Sequence, residues 1–171
     1  MINVIRNDIA KVEADIIVNA ANPLLMGGGG VDGAIHRHGG PQIMEECQKI
    51  ISEKGICTAG QAVITTAGNL KAKYVIHTVG PVWKGGNNEE EIILANCYLK
   101  SLELAKKFNC YSIAFPSIST GAYRFPKAKA AKVAAETVSK FLKSNSLNVF
   151  FVCFEEDDEN IIKAALKHLN E

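Results

Sequence analysis

The sequence predicts one α/β domain with a largely buried central sheet. Short runs rich in Ile, Val and Phe alternate with longer segments of helical periodicity, the pattern of a sheet covered by helices. The 171 residues fit the usual size of one domain. Because no internal repeat, low-complexity tract or shift in composition divides the chain, we expect a single domain over residues 1–171.

Six strands and five helices are predicted from this alternation. Pro41 and Pro126 suit the first turn of a helix, where a missing N–H has no cost. The strands are expected at Ile2 to Arg6, Asp15 to Asn19, Gln61 to Thr66, Tyr74 to Thr78, Ser112 to Pro116 and Asn148 to Phe154. The helices are expected at Gly33 to His38, Pro41 to Glu53, Glu89 to Phe108, Pro126 to Lys143 and Asp158 to Leu169.

Composition and charge exclude several classes of protein. Hydrophobic residues make up 47% and charged residues 22%, which is ordinary for a globular protein and argues against disorder or a membrane protein. The formal net charge is +1, so no global field would hold a nucleic-acid backbone, and any anionic ligand must be bound locally. The N-terminus lacks the pattern of a signal peptide. The pattern of the cysteines predicts a reducing cytoplasm as the location.

The five cysteines predict buried, reduced thiols. They are odd in number, form no CxxC pair and mostly lie in apolar patterns. They and the four histidines show none of the usual spacings of zinc ligands, so no metal site is predicted.

A glycine-rich segment after the second strand is the first candidate for ligand binding. Asn19-Ala20-Ala21-Asn22-Pro23 leads to Gly27 to Gly30, followed by Val31, Asp32 and Gly33. Consecutive glycines leave backbone N–H groups uncovered and permit positive φ, which suits an anion at a helix start. A flexible surface turn is the alternative.

A second candidate loop follows the fifth strand, over residues 116–126. Small residues that lead into a helix can aim several N–H groups at a phosphate, although the segment matches neither a Walker A loop nor a GxGxxG motif. Two such loops at neighbouring strand ends would suit a diphosphate. Phe154 ends the last strand, where its ring would either carry a base or belong to the core.

Together these segments resemble the macrodomain family, and in particular its MacroD-type hydrolase branch. The resemblance covers essentially the whole chain. It rests on Asn7-Asp8-Ile9, on Ile17 to Asn22, on Gly27 to His36 and on Ser119 to Tyr123. It implies a three-layer α/β/α sandwich around a mixed sheet of roughly six strands, with ADP-ribose in a cleft at the strand ends and no cofactor.

The resemblance also implies roles for individual residues. Asp8 and Ile9 would bind adenine, Phe154 would stack on it, and the two loops would hold the diphosphate and the distal ribose. The catalytic candidates are Asn22, Asp32 and His36. The ligand-binding candidates are Asp8, Ile9, Asn19, Ala21, Gly28, Gly29, Gly30, Val31, Ser119, Thr120, Gly121, Ala122, Tyr123 and Phe154.

The chemistry of the catalytic candidates agrees with these roles. Asn22 offers a donor and an acceptor, as a ribose diol requires, and Asp32 would orient or deprotonate a water. As alternatives, Asp32 would be a helix N-cap and His36 would satisfy a backbone group. Two residues depart from the family pattern, since Arg124 and Asn7 stand where glycine is usual.

Three functions are compatible with these residues. The leading hypothesis is a hydrolase for ester-linked ADP-ribose, either O-acetyl-ADP-ribose or ADP-ribose on acidic side chains. The second is a non-catalytic reader of ADP-ribose, which would commonly lack an aspartate at the position of Asp32. The third is a phosphatase for ADP-ribose 1″-phosphate. We expect a monomer whose partner is ADP-ribose or an ADP-ribosylated molecule, without membrane or nucleic-acid binding.

Overall fold

The computed structural model describes residues 1–171, and its sheet has the six strands that the sequence predicts. Each strand lies within a residue of its predicted ends. The fifth ends at Phe115 because Pro116 has no N–H to donate to a neighbouring strand. The strands are β1 Ile2–Arg6, β2 Ile16–Ala20, β3 Ala62–Thr66, β4 Tyr74–Thr78, β5 Ser112–Phe115 and β6 Asn148–Cys153.

The five predicted helices are present, and two of them begin two or more residues away from the predicted start. The first begins at Gly30 rather than Gly33, and the last begins at Glu156 rather than Asp158. Pro41 opens its helix as predicted, whereas Pro126 lies one residue before the first turn. A short 3₁₀-helix at Ile9–Lys11 was not predicted. The helices are α1 Gly30–Gly39, α2 Pro41–Lys54, α3 Glu90–Lys107, α4 Lys127–Leu142 and α5 Glu156–Leu169.

The sheet is mixed, with the strand order β1-β6-β5-β2-β4-β3. Only β3 runs antiparallel to its neighbour, and all other pairs are parallel. The carboxyl ends of the parallel strands therefore meet at one edge. In open α/β sheets ligands bind at this edge, where the loops after β1, β2, β5 and β6 converge.

Helices cover both faces of the sheet, as a three-layer sandwich requires. Side chains alternate along each strand: Ile16 and Val18 pack beneath α3, α4 and α5, whereas Ile17 packs beneath α1 and α2. We call these the α3–α5 face and the α1–α2 face. The two apolar clusters lie on opposite sides of the same strands, which confirms the predicted fold class.

The cysteines are buried and unpaired, as the sequence predicts. All five are free thiols beneath the surface. None of the helices combines the length and apolar character needed to cross a membrane.

Candidate active site

A cleft of about 560 Å³ lies at the carboxyl edge of the sheet, within the volume range of small-molecule sites. It brings together predicted residues from four separate segments of the chain: Asp8, Ile9, Gly30, Val31, Thr120, Gly121 and Phe154. The other candidates do not line the cleft. Asn19 is on β2, Asp32 and His36 are on α1, and the rest are in the two loops: Ala21, Asn22, Gly28, Gly29, Ser119, Ala122 and Tyr123.

The glycine loop between β2 and α1 opens toward the cleft. Gly27 and Gly30 adopt positive φ, at +80° and +56°, as the glycine run predicts. A Cβ added at Gly29 or Gly30 would meet no atom within 4 Å, so backbone is exposed there. None of the N–H groups at residues 28–32 donates to a backbone acceptor. The loop therefore presents a row of free donors at the start of a helix, which is a favourable site for an anion.

The loop between β5 and α4 presents a second row of donors, apart from the N–H of Ile118, which faces the buried hydroxyl of Tyr98. No N–H group at residues 117–123 donates to a backbone acceptor. The backbone of Ser119 is strained, with φ at +67°, and its hydroxyl is buried without a partner. A side chain at Gly80 would overlap Ser119, so a glycine is required where the two segments meet. Backbone strain of this kind concentrates at functional loops.

Several contacts hold the second loop in shape. The N–H of Phe125 donates to the carbonyl of Ser119 at 2.9 Å, and the N–H of Trp83 donates to the carbonyl of Tyr123 at 2.8 Å. The buried ring of Phe125 packs on Trp83 with 4.8 Å between ring centroids. The donors are thus preorganised, which lowers the entropy cost of binding a ligand.

The two departures from the family pattern leave the loops intact. Arg124 takes the left-handed conformation that a glycine would take, with φ at +61°, and its side chain is exposed. Asn7 lines the cleft, and its side-chain oxygen accepts the N–H of Asp8 at 2.8 Å. Arg124 therefore adds an exposed cation next to Tyr123 without changing the backbone conformation.

Asp8 and Phe154 mark one end of the cleft. One oxygen of Asp8 accepts the N–H of Ala10 at 3.0 Å and caps the 3₁₀-helix. Its other oxygen makes no protein hydrogen bond and is available to a ligand. The ring of Phe154 is 77% exposed, so the alternative of a core phenylalanine is wrong. The reason is that β6 ends at Cys153, the last residue paired with β1.

Asn22 closes the glycine loop on itself. Its side-chain nitrogen donates to the carbonyl of Gly27 at 2.9 Å, and its oxygen accepts the N–H of Met26 at 3.1 Å. One amide hydrogen and one lone pair remain for a ligand. Ala21, the residue before it, is buried and donates its N–H to the carbonyl of Thr78.

Asp32 is buried in the first turn of α1, and only 6% of the residue is exposed. The N-cap is Gly29, so the alternative that Asp32 caps the helix is wrong. Its Oδ1 accepts a hydrogen bond from Asn19 at 2.8 Å, and Oδ2 makes no protein hydrogen bond. Burial raises the pKa of Asp32, while the hydrogen bond from Asn19 and the charge of His36 act in the opposite direction. One carboxylate oxygen is thus anchored, and the other faces the glycine loop.

His36 lies one turn further along α1. Its Nε2 is 3.3 Å from Oδ1 of Asp32, but the geometry does not form a hydrogen bond, and neither ring nitrogen has a partner. The alternative that His36 satisfies a backbone group is therefore wrong. Both ring nitrogens are buried, so this unpartnered imidazole is placed to exchange a proton with the carboxylate of Asp32.

A cluster of possible metal ligands lies beneath the site. His36, Cys47 and His77 place ligand atoms within 4.8 Å of one another, although their spacing along the chain does not match a metal motif. Both ring nitrogens of His77 are already within hydrogen-bonding distance of Asn19 and Thr65. We therefore assign His77 to a hydrogen-bond network, and the prediction that no metal is bound stays a prediction.

Two basic residues of the cleft were missed by the sequence analysis. Arg37 lies on the same side of α1 as Val31 and Ala34. The spacing of three residues between them could have placed Arg37 in the cleft from the sequence. Lys127 starts α4, where a cation opposes the helix dipole, and that unusual position was a usable signal. Its ammonium group lies 2.9 Å from Asp158, and this hydrogen bond raises the pKa of Lys127.

Comparisons with known proteins agree with this geometry. Residues 18–134 match the Macro domain family. The chain is 52% identical over 167 residues to a protein of Escherichia fergusonii named O-acetyl-ADP-ribose deacetylase, covering 96% of this chain and 94% of that one. Two solved structures are also similar. The Oceanobacillus iheyensis macrodomain with ADP has a TM-score of 0.94 at 42% identity and covers 98% of this chain and 90% of that one. The Trypanosoma brucei macrodomain in complex with ADP-ribose has a TM-score of 0.87 at 37% identity, covering 96% and 68%.

The family match spans most of the chain, including both loops and α1. The similar structures share its fold over nearly its whole length at well above 25% identity. The family predicted from the motifs is thus confirmed, and the chain belongs to the macrodomain family.

Proposed function

We propose that the protein is a hydrolase that releases ester-linked groups from the distal ribose of ADP-ribose. The observation that carries the proposal is the state of Asp32, a buried carboxylate with one oxygen anchored and the other free beside the glycine loop. A module that only binds ADP-ribose has no need of a buried carboxylate there. The deacetylase name of a relative 52% identical to this chain supports the same activity.

The cleft matches the parts of ADP-ribose in order. The free oxygen of Asp8 would accept the adenine amino group, and the exposed ring of Phe154 would stack on the base. The two rows of N–H donors, at residues 28–32 and at residues 117–123 other than Ile118, would hold the diphosphate. The remaining donor and acceptor of Asn22 would bind the hydroxyls of the distal ribose, with Tyr123 against the sugar.

Hydrolysis would proceed by attack of water on the ester carbon. The water would lie between the free oxygen of Asp32 and a phosphate oxygen of the substrate, and its proton would pass to one of these two bases. The ester bond breaks, the base returns the proton to the departing ribose oxygen, and the products are ADP-ribose and a free carboxylic acid, which is acetic acid in the case of O-acetyl-ADP-ribose and ionises to acetate. The rows of backbone donors fix the substrate without reorganising during the reaction.

Three substrates separate the proposed activity from its competitors. The protein would be incubated with O-acetyl-ADP-ribose, with an acceptor protein carrying ester-linked ADP-ribose, and with ADP-ribose 1″-phosphate, while free ADP-ribose is followed. We expect release from one or both esters. Tight binding of ADP-ribose without turnover of any substrate would instead identify a reader. Release from the 1″-phosphate alone would identify a phosphatase.

We also propose that the chain acts as a monomeric single domain in the cytoplasm, without a metal. The shared sheet and the clusters on its two faces support one domain over residues 1–171. Five buried free thiols suit a reducing compartment. The net charge of +1 argues against binding nucleic acid through its backbone.

A further inference from the structure

Three buried polar side chains lie side by side on the α1–α2 face of the sheet. They are Asn19 on β2, His77 on β4 and Thr65 on β3, and all are at most 4% exposed. Asn19 is directly opposite His77 in the parallel ladder. Their neighbours on the same face, Ile17 and Val75, belong to the apolar core. Burying polar groups in an apolar layer is costly unless they are hydrogen-bonded, so their contacts need an explanation.

The direction of each hydrogen bond follows from chemistry. The side-chain nitrogen of Asn19 has two hydrogens and can only donate. It lies 2.8 Å from Oδ1 of Asp32 and 3.1 Å from Nδ1 of His77. Nδ1 of His77 must therefore accept, which places the ring proton on Nε2.

The rest of the chain of hydrogen bonds agrees with this assignment. Nε2 of His77 donates to the hydroxyl oxygen of Thr65 at 3.0 Å, and that hydroxyl donates to the carbonyl of Thr66 at 2.9 Å. Each donor meets one acceptor, from the backbone of β3 to the carboxylate in α1. We call the three side chains Thr65, His77 and Asn19 the buried relay.

We propose that Asn19 and His77 are positioning residues that hold the carboxylate of Asp32 in its reactive orientation. The inference rests on the proposed function, because it assigns Asp32 a part in catalysis. His77 orients the amide of Asn19, and the amide holds Oδ1 of Asp32 by a hydrogen bond. Oδ2 of Asp32 therefore points toward the glycine loop. Asn19, predicted to be a ligand residue, thus acts through Asp32 in this proposal.

Two further observations support the relay. Burial lowers the pKa of His77 to about 3, so the ring is neutral at physiological pH and Nδ1 keeps its lone pair. The side-chain oxygen of Asn19 is buried without a partner. Rotating the amide by 180° would place this oxygen against the carboxylate of Asp32, so the repulsion holds the amide in one orientation.

Cys47 offers a control beside the relay. Its sulfur lies 3.7 Å from Nε2 and 4.0 Å from Nδ1 of His77, and it is fully buried in the same cluster. It makes no hydrogen bond to Asn19 or Asp32. Cys47→Ala therefore disturbs the packing around His77 and leaves the path to Asp32 in place.

The first test reads the tautomer of His77 by nitrogen NMR of the labelled full chain. We expect a neutral ring protonated at Nε2 at pH 7. A ring protonated at Nδ1, or at both nitrogens, would overturn the relay, because Nδ1 would then be unable to accept from Asn19. This measurement does not depend on activity.

The second test compares four variants by single-turnover rate on O-acetyl-ADP-ribose and by calorimetric affinity for ADP-ribose. Asn19→Ala and His77→Leu break the relay, and we expect rates at least tenfold lower with affinities within about threefold of the parent. His77→Gln keeps one acceptor and one donor, and we expect it to recover most of the rate. Cys47→Ala should react as the parent does. Thermal melts confirm that each variant is folded at the assay temperature.

The outcomes decide the inference in either direction. If Cys47→Ala loses as much rate as His77→Leu, or if Asn19→Ala keeps the parent rate, the positioning role is wrong. If the parent itself turns over no ester, the proposed function falls separately. The relay is then tested by the carbon NMR signal of the Asp32 carboxylate at pH 7. We expect this signal to shift in Asn19→Ala and to keep its position in Cys47→Ala. An unchanged signal in Asn19→Ala would overturn the relay.

Discussion

The two faces of the sheet bury polar groups in different ways. On the α3–α5 face, polar side chains satisfy nearby backbone: the hydroxyl of Ser101 donates to the carbonyl of Cys97 at 2.7 Å, one turn earlier in the same helix. On the α1–α2 face, Asn19 and His77 bond to each other and Asn19 bonds to Asp32. Side-chain pairs of this kind link segments that are distant in sequence. Under the proposed mechanism, the α3–α5 face serves mainly stability, and the α1–α2 face also supports the carboxylate of Asp32.

The aromatic side chains strengthen the contrast. Tyr98, Phe115 and Phe151 pack together on the α3–α5 face, with ring centroids 5.0 to 6.5 Å apart. On the α1–α2 face, the buried cluster contains no Phe, Tyr or Trp, and the only one of these that packs against it is the partly buried Phe150. Mutations on the two faces should therefore affect different measurements.

The largest expected effect is loss of turnover in Asp32→Ala. Removing a general base costs about 10²- to 10⁴-fold in rate, whereas affinity for ADP-ribose should stay within about tenfold. Asn22→Ala should lower both quantities, because its amide would hold the ribose before and during the reaction. Single-turnover rates and calorimetry test the pair. If Asp32→Ala hydrolyses the ester as fast as the parent does, the proposed mechanism is wrong.

On the opposite face, Leu102→Ala should reduce stability without changing the chemistry. Leu102 is fully buried in α3, and truncating such a leucine costs about 2 to 5 kcal/mol of unfolding free energy. Urea titration measures the loss, and the rate per folded molecule should equal that of the parent. A reduced rate in fully folded Leu102→Ala would contradict the separation of the two faces.

Acid should destabilise the α1–α2 face through His77. The pKa of His77 is about 3 in the folded protein and near 6.5 in the unfolded chain, so unfolding takes up a proton between these values. The free energy of unfolding therefore falls as the pH falls through this window, by at most about 1.4 kcal/mol per pH unit. Glu90, whose pKa is lowered to about 2 by three backbone N–H donors, adds the same trend only below pH 4.5.

The contribution of His77 can be isolated between pH 6.5 and 5, above the range of Glu90, by comparison with a His77 variant. Asp32, whose pKa is raised, contributes in the opposite direction but is present in both proteins. Urea titrations of the parent and of His77→Gln at several pH values in this range should show a shallower dependence for the variant. Equal slopes would mean that His77 is not a neutral buried ring.

The smallest expected effect is a loss of ADP-ribose affinity in Asp8→Ala, with the reaction rate of the bound substrate unchanged. Asp8→Ala should weaken ADP-ribose binding by about 1 to 3 kcal/mol, the range for a charge-assisted hydrogen bond, and leave the saturated rate nearly unchanged. Glu13→Ala is the matched control, since Glu13 is exposed and outside the cleft. Calorimetry showing equal affinity for the parent and Asp8→Ala would place adenine elsewhere.

The sequence by itself determined the fold class, the strands and the position of the two ligand loops. Short runs of Ile, Val and Phe predicted the strands, and glycines and small residues after β2 and β5 marked the segments where ligand loops were expected. These signals are local, because side-chain periodicity and backbone freedom depend on neighbouring residues. The family motifs then carried the assignment of individual roles.

Tertiary structure alone decided the surroundings of Asp32. Asn19 and His77 are 58 positions apart and meet only because β2 pairs with β4 in one register. Cys47, on α2, packs against His77. No periodicity in the sequence encodes that register, since it is set by packing between distant segments. The same reason explains why Asp32 could be taken for a helix cap: only the folded sheet places the amide of Asn19 against its carboxylate.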